Sequence, residues 1–266
     1  MPAVFDLNEI PRPILAALEP ISAVDVPTQG ATSQVAIVTS GSQRWVVKHA
    51  NQAPFHEWLE REYRVLQALG GSGLPAPLAL VLVARGGPDG PDHWLLMTHL
   101  PGDTLERRLE VAAGAERRRL LRQFGAMLWR IHQTPVPPAL VSPEAWIDRQ
   151  FAQAITNRAR YDVDGSPELL QELRTTRPRP EPVAQTLIHG DYMLDNVLVS
   201  GDEISGVIDW SAGTNGDPRH DLALATQPRR GVFGAPDDLD AFYSGYGGTR
   251  LQAEEARFFL DLDEFF

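Results

Sequence analysis

The feature that most constrains the fold is a run of polar residues enclosed by apolar residues in the second half of the chain. Residues 187–199 read LIHGDYMLDNVLV, in which Asp191 and Asn196 lie between two short apolar runs. The next apolar run, residues 204–208, is followed at once by Asp209. Short apolar runs bounded by turn residues are typical of strands. We therefore predict the order strand, polar loop, strand, turn, strand and acid.

This order predicts a cation site, because adjacent strands joined by a tight turn would bring Asp191, Asn196 and Asp209 to the same end of a sheet. Carboxylates that lie close together repel each other, so that one of them tends to be protonated unless a cation is present. Mg²⁺ prefers a few carboxylate or amide oxygens together with substrate phosphates. The alternative interpretation is a solvated loop in which Asp and Asn only form turns. The flanking strands and the position of Asp209 favour the metal site.

The composition indicates a soluble globular protein, since 43% of the 266 residues are hydrophobic and 22% are charged. A chain of this length can form one large domain or two lobes. No apolar run reaches the roughly 18 residues of a membrane span, and we expect no signal peptide. Cysteine is absent, which excludes disulfides and Cys-ligated zinc and fits the cytoplasmic location that we predict.

The charge balance bears on the partners of the protein. Lys and Arg number 24 against 35 Asp and Glu, which gives a net charge of −11. This excess of acids argues against nucleic acids and anionic membranes as partners. It suits a cationic small molecule, although most acidic proteins are acidic for solubility alone.

The first part of the chain predicts an antiparallel sheet with one helix packed on it, preceded by a short peripheral helix over residues 10–18. The predicted strands cover residues 21–26, 34–38, 44–48, 78–84 and 93–98, and the helix covers residues 55–69. Lys48 ends a strand, and Glu62 lies on the apolar stripe of the helix. Because a carboxylate on a buried stripe needs a cationic partner, we predict an ion pair between Lys48 and Glu62. Taken alone, a Lys at this place more often extends to water.

From residue 98 onwards the chain is mostly helical, with a long amphipathic helix over residues 115–133. Four sites have the sequence pattern of a helix N-terminus and are predicted as N-caps: Asp103, Ser142, Ser166 and Thr249.

Two acidic patches stand out in this helical part. Asp162 and Asp164 lie in a loop between two predicted helices. Asp261, Asp263 and Glu264 crowd the C-terminal turn of the last helix, beside the terminal carboxylate. Acids at that end oppose the helix dipole, so we expect a bound cation there.

The central loop resembles the catalytic loop of the aminoglycoside phosphotransferase family, which is related to the protein kinases. That family's loop reads His-Gly-Asp-x-x-x-x-Asn and is followed by a metal-binding acid in an Ile-Asp-Trp type of segment. The resemblance implies an α+β, bilobal, protein-kinase-like fold with ATP and Mg²⁺ as cofactors. It also implies that Asp191 is the catalytic base, that Asn196 and Asp209 bind the metal, and that His189 orients the loop.

Further motifs match the family in order along the chain. The resemblance implies that Lys48 and Glu62 form the pair that anchors the α- and β-phosphates. Thr32 and Ser33 would contact the phosphates from a loop above them, although a turn of this kind is more often an ordinary hairpin. Thr98 and Leu100 would lie beside adenine. The expected lobes are residues 1–97 for the nucleotide and residues 98–266 for catalysis and the acceptor.

The segment over residues 216–223, which contains Asp221, also matches the family. It reads GDPRHDLA from residue 216. In the family, the second Asp of this segment is structural and holds the catalytic loop from behind.

The C-terminal sequence LDEFF is similar to that of aminoglycoside 3'-phosphotransferases. The resemblance implies that acids and the terminal carboxylate hold the ammonium groups of the acceptor, through Asp162, Asp164, Asp261, Asp263, Glu264 and Phe266. We therefore predict an ATP-dependent O-phosphotransferase that acts on a small cationic molecule, with the 3'-hydroxyl of an aminoglycoside as the favoured acceptor. We expect neither nucleic acid nor membrane as a partner.

Two departures from the 3'-type pattern leave the acceptor open. Residues 211–212 read Ser-Ala where those enzymes carry an Arg, and residues 227–228 read Gln-Pro where they carry Arg-Asp. The alternatives are a kinase of another hydroxylated molecule, such as a macrolide, a sugar, an amino alcohol or a metabolite. A ligand-binding relative without activity and a metal-dependent hydrolase are further alternatives.

Overall fold

The computed structural model describes residues 9–27, 33–87, 90–177, 183–229 and 231–266. The chain divides into two compact units. The first unit comprises Met1–Pro101 and Gly206–Ala212, and the second comprises Gly102–Ser205 and Gly213–Phe266.

The first unit contains a five-stranded sheet in the order β1-β2-β3-β5-β4, in which all neighbours are antiparallel. The strands are β1 (Ile21–Asp25), β2 (Gln34–Ser40), β3 (Gln43–Ala50), β4 (Ala79–Gly87) and β5 (Gly90–Thr98). Two helices accompany the sheet, α1 (Arg12–Leu18) and α2 (Phe55–Leu69). The prediction of a five-stranded antiparallel sheet with a helix over residues 55–69 is confirmed, and the short helix before it is present.

The two helices of the first unit contact different faces of the sheet. Ile14 of α1 packs in one apolar cluster with Val47 of β3 and Trp94 of β5. Successive side chains of a strand point to opposite faces, so Lys48 lies on the other face from Val47. Glu62 of α2 meets Lys48 there. The pleat of β3 thus directs the Lys48 ammonium toward α2.

The second unit is mainly helical, as predicted, with two small sheets in the strand orders β6-β8-β9 and β10-β7. Its elements are β6 (Asp103–Thr104), α3 (Leu105–Val111), α4 (Gly114–Gln133), α5 (Trp146–Arg160), α6 (Pro167–Thr176), β7 (Thr186–Ile188), β8 (Val197–Ser200), β9 (Glu203–Val207), β10 (Thr214–Gly216), α7 (Pro218–Thr226), α8 (Pro236–Tyr246) and α9 (Ala253–Asp263). The last two residues of β9 belong to the first unit. Within the described ranges, no helix has both the length and the apolar character that crossing a membrane requires.

One of the four predicted N-caps is right, and the cap of α3 lies one residue later than predicted. Ser166 caps α6, because its hydroxyl accepts a hydrogen bond from the backbone N–H of Leu169 at 3.1 Å. Asp103 belongs to β6 instead, and Thr104 caps α3 by accepting from the backbone N–H of Arg107 at 3.4 Å. The pairing of Asp103 with β8 explains the difference.

The other two predicted N-caps are wrong. α5 begins at Trp146, and the Ser142 hydroxyl accepts from the backbone N–H of Glu144 at 3.3 Å in a separate turn. Gln252 and Glu255 form the capping box of α9, so Thr249 lies outside this helix.

Close contact between α4 and α8 supports the loop that follows β7. A Cβ atom on Gly125 of α4 would overlap the carbonyl oxygen of Phe242, and one on Gly245 of α8 would overlap that of Arg122. Small residues at these points therefore let the two helix backbones approach each other. On α4, the ring of Phe124 stacks on Tyr192 at 4.7 Å, and the Tyr192 hydroxyl donates to the Phe124 carbonyl at 2.9 Å.

A buried carboxylate ties three parts of the second unit together. Asp221 lies in the first turn of α7 and is fully buried. Its carboxylate accepts from the backbone N–H of His189 at 2.7 Å and of Gly190 at 2.8 Å. It also bonds to Nε2 of His132 on α4 at 3.2 Å. Burial alone would raise the pKa of Asp221, but the hydrogen bond and charge of His132 and the charges of other histidines hold it below its ordinary value.

We expect Asp221→Ala to lower the free energy of unfolding by about 3–5 kcal/mol at pH 7, because two buried backbone donors lose their acceptor. A depressed folded-state pKa means that the carboxylate stabilises the fold above its unfolded pKa of about 3.9. This contribution is lost as the pH falls through the lower folded-state pKa. The difference between variant and wild type should therefore shrink in acid. Urea unfolding at several pH values measures both effects.

Asp240→Ala is the matched control, because it removes an exposed ion pair with Arg250. This change should lower the free energy of unfolding by less than about 1 kcal/mol. Equal destabilisation by the two variants would contradict the anchoring role of Asp221.

Candidate active site

A buried cation lies between two carboxylates in the first unit. Lys48 Nζ donates to both carboxylate oxygens of Glu62 at 2.8 Å, and it also donates to Asp209 Oδ1. The side chains of Lys48 and Glu62 are only 11% and 3% exposed. Burial alone would lower the pKa of Lys48, but the charges of Asp209 and Glu62 hold it above its ordinary value. Lys48 is therefore charged, as an anchor for phosphates requires.

Asp209 adopts a backbone conformation that is uncommon for a residue with a side chain. Its φ angle is 63°. Such a conformation persists only when its surroundings enforce it, and it is found more often at functional sites than elsewhere. Next to it, Trp210 is fully buried and donates from its indole N–H to the Val207 carbonyl at 2.9 Å. The backbone N–H of Trp210 also bonds to Glu62. These contacts fix Asp209, whose side chain is 44% exposed.

In the segment predicted to contact adenine, two backbone N–H groups already donate hydrogen bonds within the first unit. The N–H of Thr98 donates to the Leu78 carbonyl at 3.0 Å, and the N–H of His99 donates to the Arg44 carbonyl at 3.2 Å. An adenine contact from a backbone N–H of this segment would therefore come from Leu100.

The structure describes only one of the two residues that were predicted to contact the phosphates. Ser33 lies in the bend before β2, whereas Thr32 lies outside the described residues.

The predicted catalytic loop of the second unit is held by hydrogen bonds among its own residues. Gly190 has a φ of 82°, a value that favours glycine, and begins the turn after β7. The backbone N–H of Asp191 donates to His189 Nδ1 at 3.2 Å. Asn196 Nδ2 donates to Asp191 at 2.8 Å, both to Oδ2 and to the backbone carbonyl. Asn196, which was predicted to lie in the same site, thus orients the Asp191 carboxylate.

Asn196 of the second unit and Asp209 of the first unit each carry an oxygen of the kind that a hard divalent cation prefers. Since the Asn196 amide nitrogen is used by Asp191, the amide oxygen is the atom that could bind a metal. Asp209 offers a carboxylate, and Mg²⁺ needs only one or two such ligands when phosphates supply the rest. In the part of the chain that the structure describes, no group of three or more Asp, Glu or His side chains is arranged to hold a metal by itself.

An acidic cleft of about 570 Å³ lies in the second unit. It is lined by Asp162, Val163, Asp164, Gln227, Leu260, Asp261, Asp263, Glu264 and Phe266. The structure thus brings together all the residues that were predicted to bind the acceptor. Two hydrogen bonds hold them in place: the N–H of Gly165 donates to the Glu264 carbonyl at 3.0 Å, and Asn157 Nδ2 donates to the Phe265 carbonyl at 2.8 Å.

Few cations among the described residues lie near the acids of this cleft. Arg257 is 3.3 Å from Asp261, and its side chain is 79% exposed. His220 Nε2 is 3.9 Å from Asp263 Oδ1. Burial raises the pKa of Asp263, although the charges of His220 and Arg229 oppose the shift. Burial disfavours the charged form of a carboxylate, and a cationic ligand beside Asp263 would oppose this effect.

Some residues of this site were not predicted. Asn157 lies on the buried side of α5, near Phe151 and Ala154, and is itself buried. A polar residue on an apolar stripe is the same signal that identified Glu62, so Asn157 was detectable. Gln227 lines the cleft, and Arg229 Nη1 contacts the Met193 sulfur at 3.1 Å. No local pattern marks these two.

Comparison with protein families matches residues 24–258 to the Phosphotransferase enzyme family. An aminoglycoside 3'-phosphotransferase from Niallia circulans is 28% identical over 226 residues, which cover 80% of this chain and 82% of that one. Acyl-CoA dehydrogenase family member 11 from Gallus gallus is 26% identical over 246 residues, which cover 84% of this chain and 31% of that protein. This chain therefore spans about a third of the latter.

The solved GDP and kanamycin complex of APH(2'')-IIia has a TM-score of 0.67 to this chain at 17% identity. The match covers 95% of this chain and 88% of that one. Similarity at this level of identity shows a common fold and confirms the prediction of a kinase-like α+β fold. Because the family match spans most of the sequence, this chain belongs to the phosphotransferase enzyme family and is a small-molecule kinase.

Proposed function

We propose that this protein transfers the γ-phosphate of ATP to a hydroxyl of a cationic small molecule, with the 3'-hydroxyl of an aminoglycoside as the favoured acceptor. The observation that carries the proposal is the acidic cleft, where five acidic side chains and Phe266 line one cavity. The aminoglycoside 3'-phosphotransferase from Niallia circulans supports it. In this proposal the first unit binds the nucleotide, and the second unit supplies the base and the acceptor site.

The nucleotide site uses the buried charges of the first unit. Lys48, held by Glu62 and Asp209, would bind the α- and β-phosphates of ATP through its ammonium group. Asn196 and Asp209 would hold Mg²⁺, which neutralises phosphate charge when it is bound. A Lys in this position is charged at every physiological pH, because its pKa is raised rather than lowered.

In the proposed chemical step, Asp191 is the base that accepts the proton of the acceptor hydroxyl. The acceptor hydroxyl oxygen attacks the γ-phosphorus, and the bond from this phosphorus to the β–γ bridging oxygen breaks as ADP leaves. Asp191 takes the hydroxyl proton, so that a phosphate monoester forms. The hydrogen bond from Asn196 at 2.8 Å fixes the plane of the Asp191 carboxylate for this transfer.

Asp191→Asn should lower kcat for kanamycin-dependent ADP release by roughly 10²–10⁴, the usual contribution of a general base. ATP affinity should be unchanged, because the base does not hold the nucleotide. Asp202→Asn is the control, since it alters an acid in the exposed turn between β8 and β9. A wild-type kcat in Asp191→Asn would rule out this base.

Asp263→Asn should raise KM for kanamycin roughly tenfold or more, because it removes a charged contact worth about 1.5–3 kcal/mol. KM for ATP should not change. Glu254→Gln is the control, because Glu254 lies in the first turn of α9 and does not line the cleft. A charge-driven site must also weaken as salt is added. A KM for kanamycin that responds neither to Asp263→Asn nor to salt would refute the acceptor class.

Point variants are better than truncation for this test. Phe265 is fully buried, and its carbonyl accepts from Asn157. Deleting Phe265 and Phe266 would therefore destabilise the second unit as well as alter the cleft.

A further inference from the structure

Arg229 is a cation to which the proposed reaction assigns no role, and its side chain lies against the predicted catalytic loop. Its Nη1 atom donates to the Met193 sulfur at 3.1 Å. Met193 is itself bonded to the proposed base and to Asn196. Its backbone N–H donates to the Asp191 carbonyl at 3.0 Å, and its carbonyl accepts from the backbone N–H of Asn196 at 3.2 Å. A thioether sulfur is a weak acceptor without charge, so this contact positions the guanidinium without neutralising it.

The backbone of Arg229 is fixed by pairing. Arg229 and Val232 form an antiparallel bridge with backbone hydrogen bonds of 3.1 and 2.7 Å. The next residue, Phe233, donates its N–H to Asp238 Oδ2 of α8 at 3.0 Å, and Asp238 pairs with Arg117 of α4 at 2.7 Å. Backbone pairing and this ion pair therefore hold Arg229 next to the loop.

The positive charge of Arg229 also reaches the acidic cleft. Two residues earlier in the chain, Gln227 lines this cleft. Burial raises the pKa of Asp263, another lining residue, and the charges of His220 and Arg229 oppose that rise. Arg229 thus lies close both to the loop that carries Asp191 and to a carboxylate that would hold the acceptor.

An ammonium group of the acceptor would experience opposite forces from the cleft and from Arg229. The carboxylates of the cleft attract it, whereas Arg229 repels it from the side of the loop. An ammonium group has no lone pair, so one that occupied the place beside Asp191 could not attack phosphorus and would keep a hydroxyl out. A hydroxyl carries no charge and is not repelled. Specificity commonly requires such a repulsive element in addition to attractive contacts.

We propose that Arg229 is a specificity-determining residue that keeps ammonium groups of the acceptor away from Asp191, so that a hydroxyl without a charged neighbour is phosphorylated. This inference rests on the proposed function and adds the orientation of the acceptor. It gives two charges different tasks. Asp263 strengthens the binding of a cationic acceptor, and Arg229 limits which hydroxyl of that acceptor can react.

Kanamycin A and kanamycin B test the inference, because they differ only beside the 3'-hydroxyl. The 2' carbon carries a hydroxyl in kanamycin A and an amine in kanamycin B. Arg229→Gln removes the repulsion, so it should raise kcat/KM for kanamycin B relative to kanamycin A by roughly threefold to tenfold. Acceptor-dependent ADP release gives both values, measured at about pH 6.5, where an amine of this kind is mostly charged.

Two further variants separate the charge of Arg229 from its other effects. Arg229→Lys keeps the charge and should keep most of the wild-type preference. Arg257→Gln removes an exposed cation that lies 3.3 Å from Asp261, and it should not change the ratio of kcat/KM for the two kanamycins. If Arg229 only supported the loop, its loss would lower kcat for both kanamycins alike. An unchanged ratio in Arg229→Gln, or an equal change in Arg257→Gln, would overturn the inference.

The inference and the proposed function fail in different ways. If neither kanamycin is phosphorylated, or if Asp263→Asn leaves KM for kanamycin unchanged, the acceptor site is wrong and the role of Arg229 falls with it. If Asp263→Asn raises KM while Arg229→Gln keeps the wild-type ratio, only the role of Arg229 is wrong.

Discussion

The second unit depends on the buried carboxylate of Asp221. A carboxylate without exposure is stable only when each oxygen is compensated, and here His189, Gly190 and His132 provide the donors. Two of these donors are backbone groups of the loop that carries Asp191. The helix α7, the helix α4 and this loop are therefore held in one arrangement by a single charge. The geometry of the proposed base follows from that arrangement, since Asp191 is bonded in turn to His189 and Asn196.

Charge is compensated in opposite ways in the two units. In the first unit, one buried cation, Lys48, is matched by Glu62 and Asp209. In the second unit, the acids of the cleft outnumber the cations that the described residues place near them, and burial raises the pKa of Asp263. Folding alone gains nothing from such an imbalance, because uncompensated carboxylates repel each other. A cationic ligand would remove the cost, and the proposed acceptor class rests on this argument.

Periodic patterns in the sequence made much of the first unit predictable. The bounds of α2 and the pairing of Lys48 with Glu62 followed from a helical stripe that contains one acid. The N-caps were less predictable, because an Asp, Ser or Thr ahead of a Glu or Gln gives the same pattern whether or not a helix begins there. Asp103 pairs with β8 instead, a contact that depends on distant sequence. The positive φ of Asp209 and the junction between Gly165 and Glu264 also arise from tertiary packing, which no local pattern encodes.

The central claim is that the acidic cleft selects the acceptor of this kinase by its positive charge. The most direct test measures kcat/KM for kanamycin, for kanamycin with its amines acetylated and for a neutral sugar, with the phosphate ester detected by ³¹P NMR. Losing two charged contacts should lower kcat/KM at least about a hundredfold. The kcat/KM for kanamycin should therefore exceed that for each neutral acceptor by this factor or more. Equal kcat/KM for the charged and neutral acceptors would contradict the account.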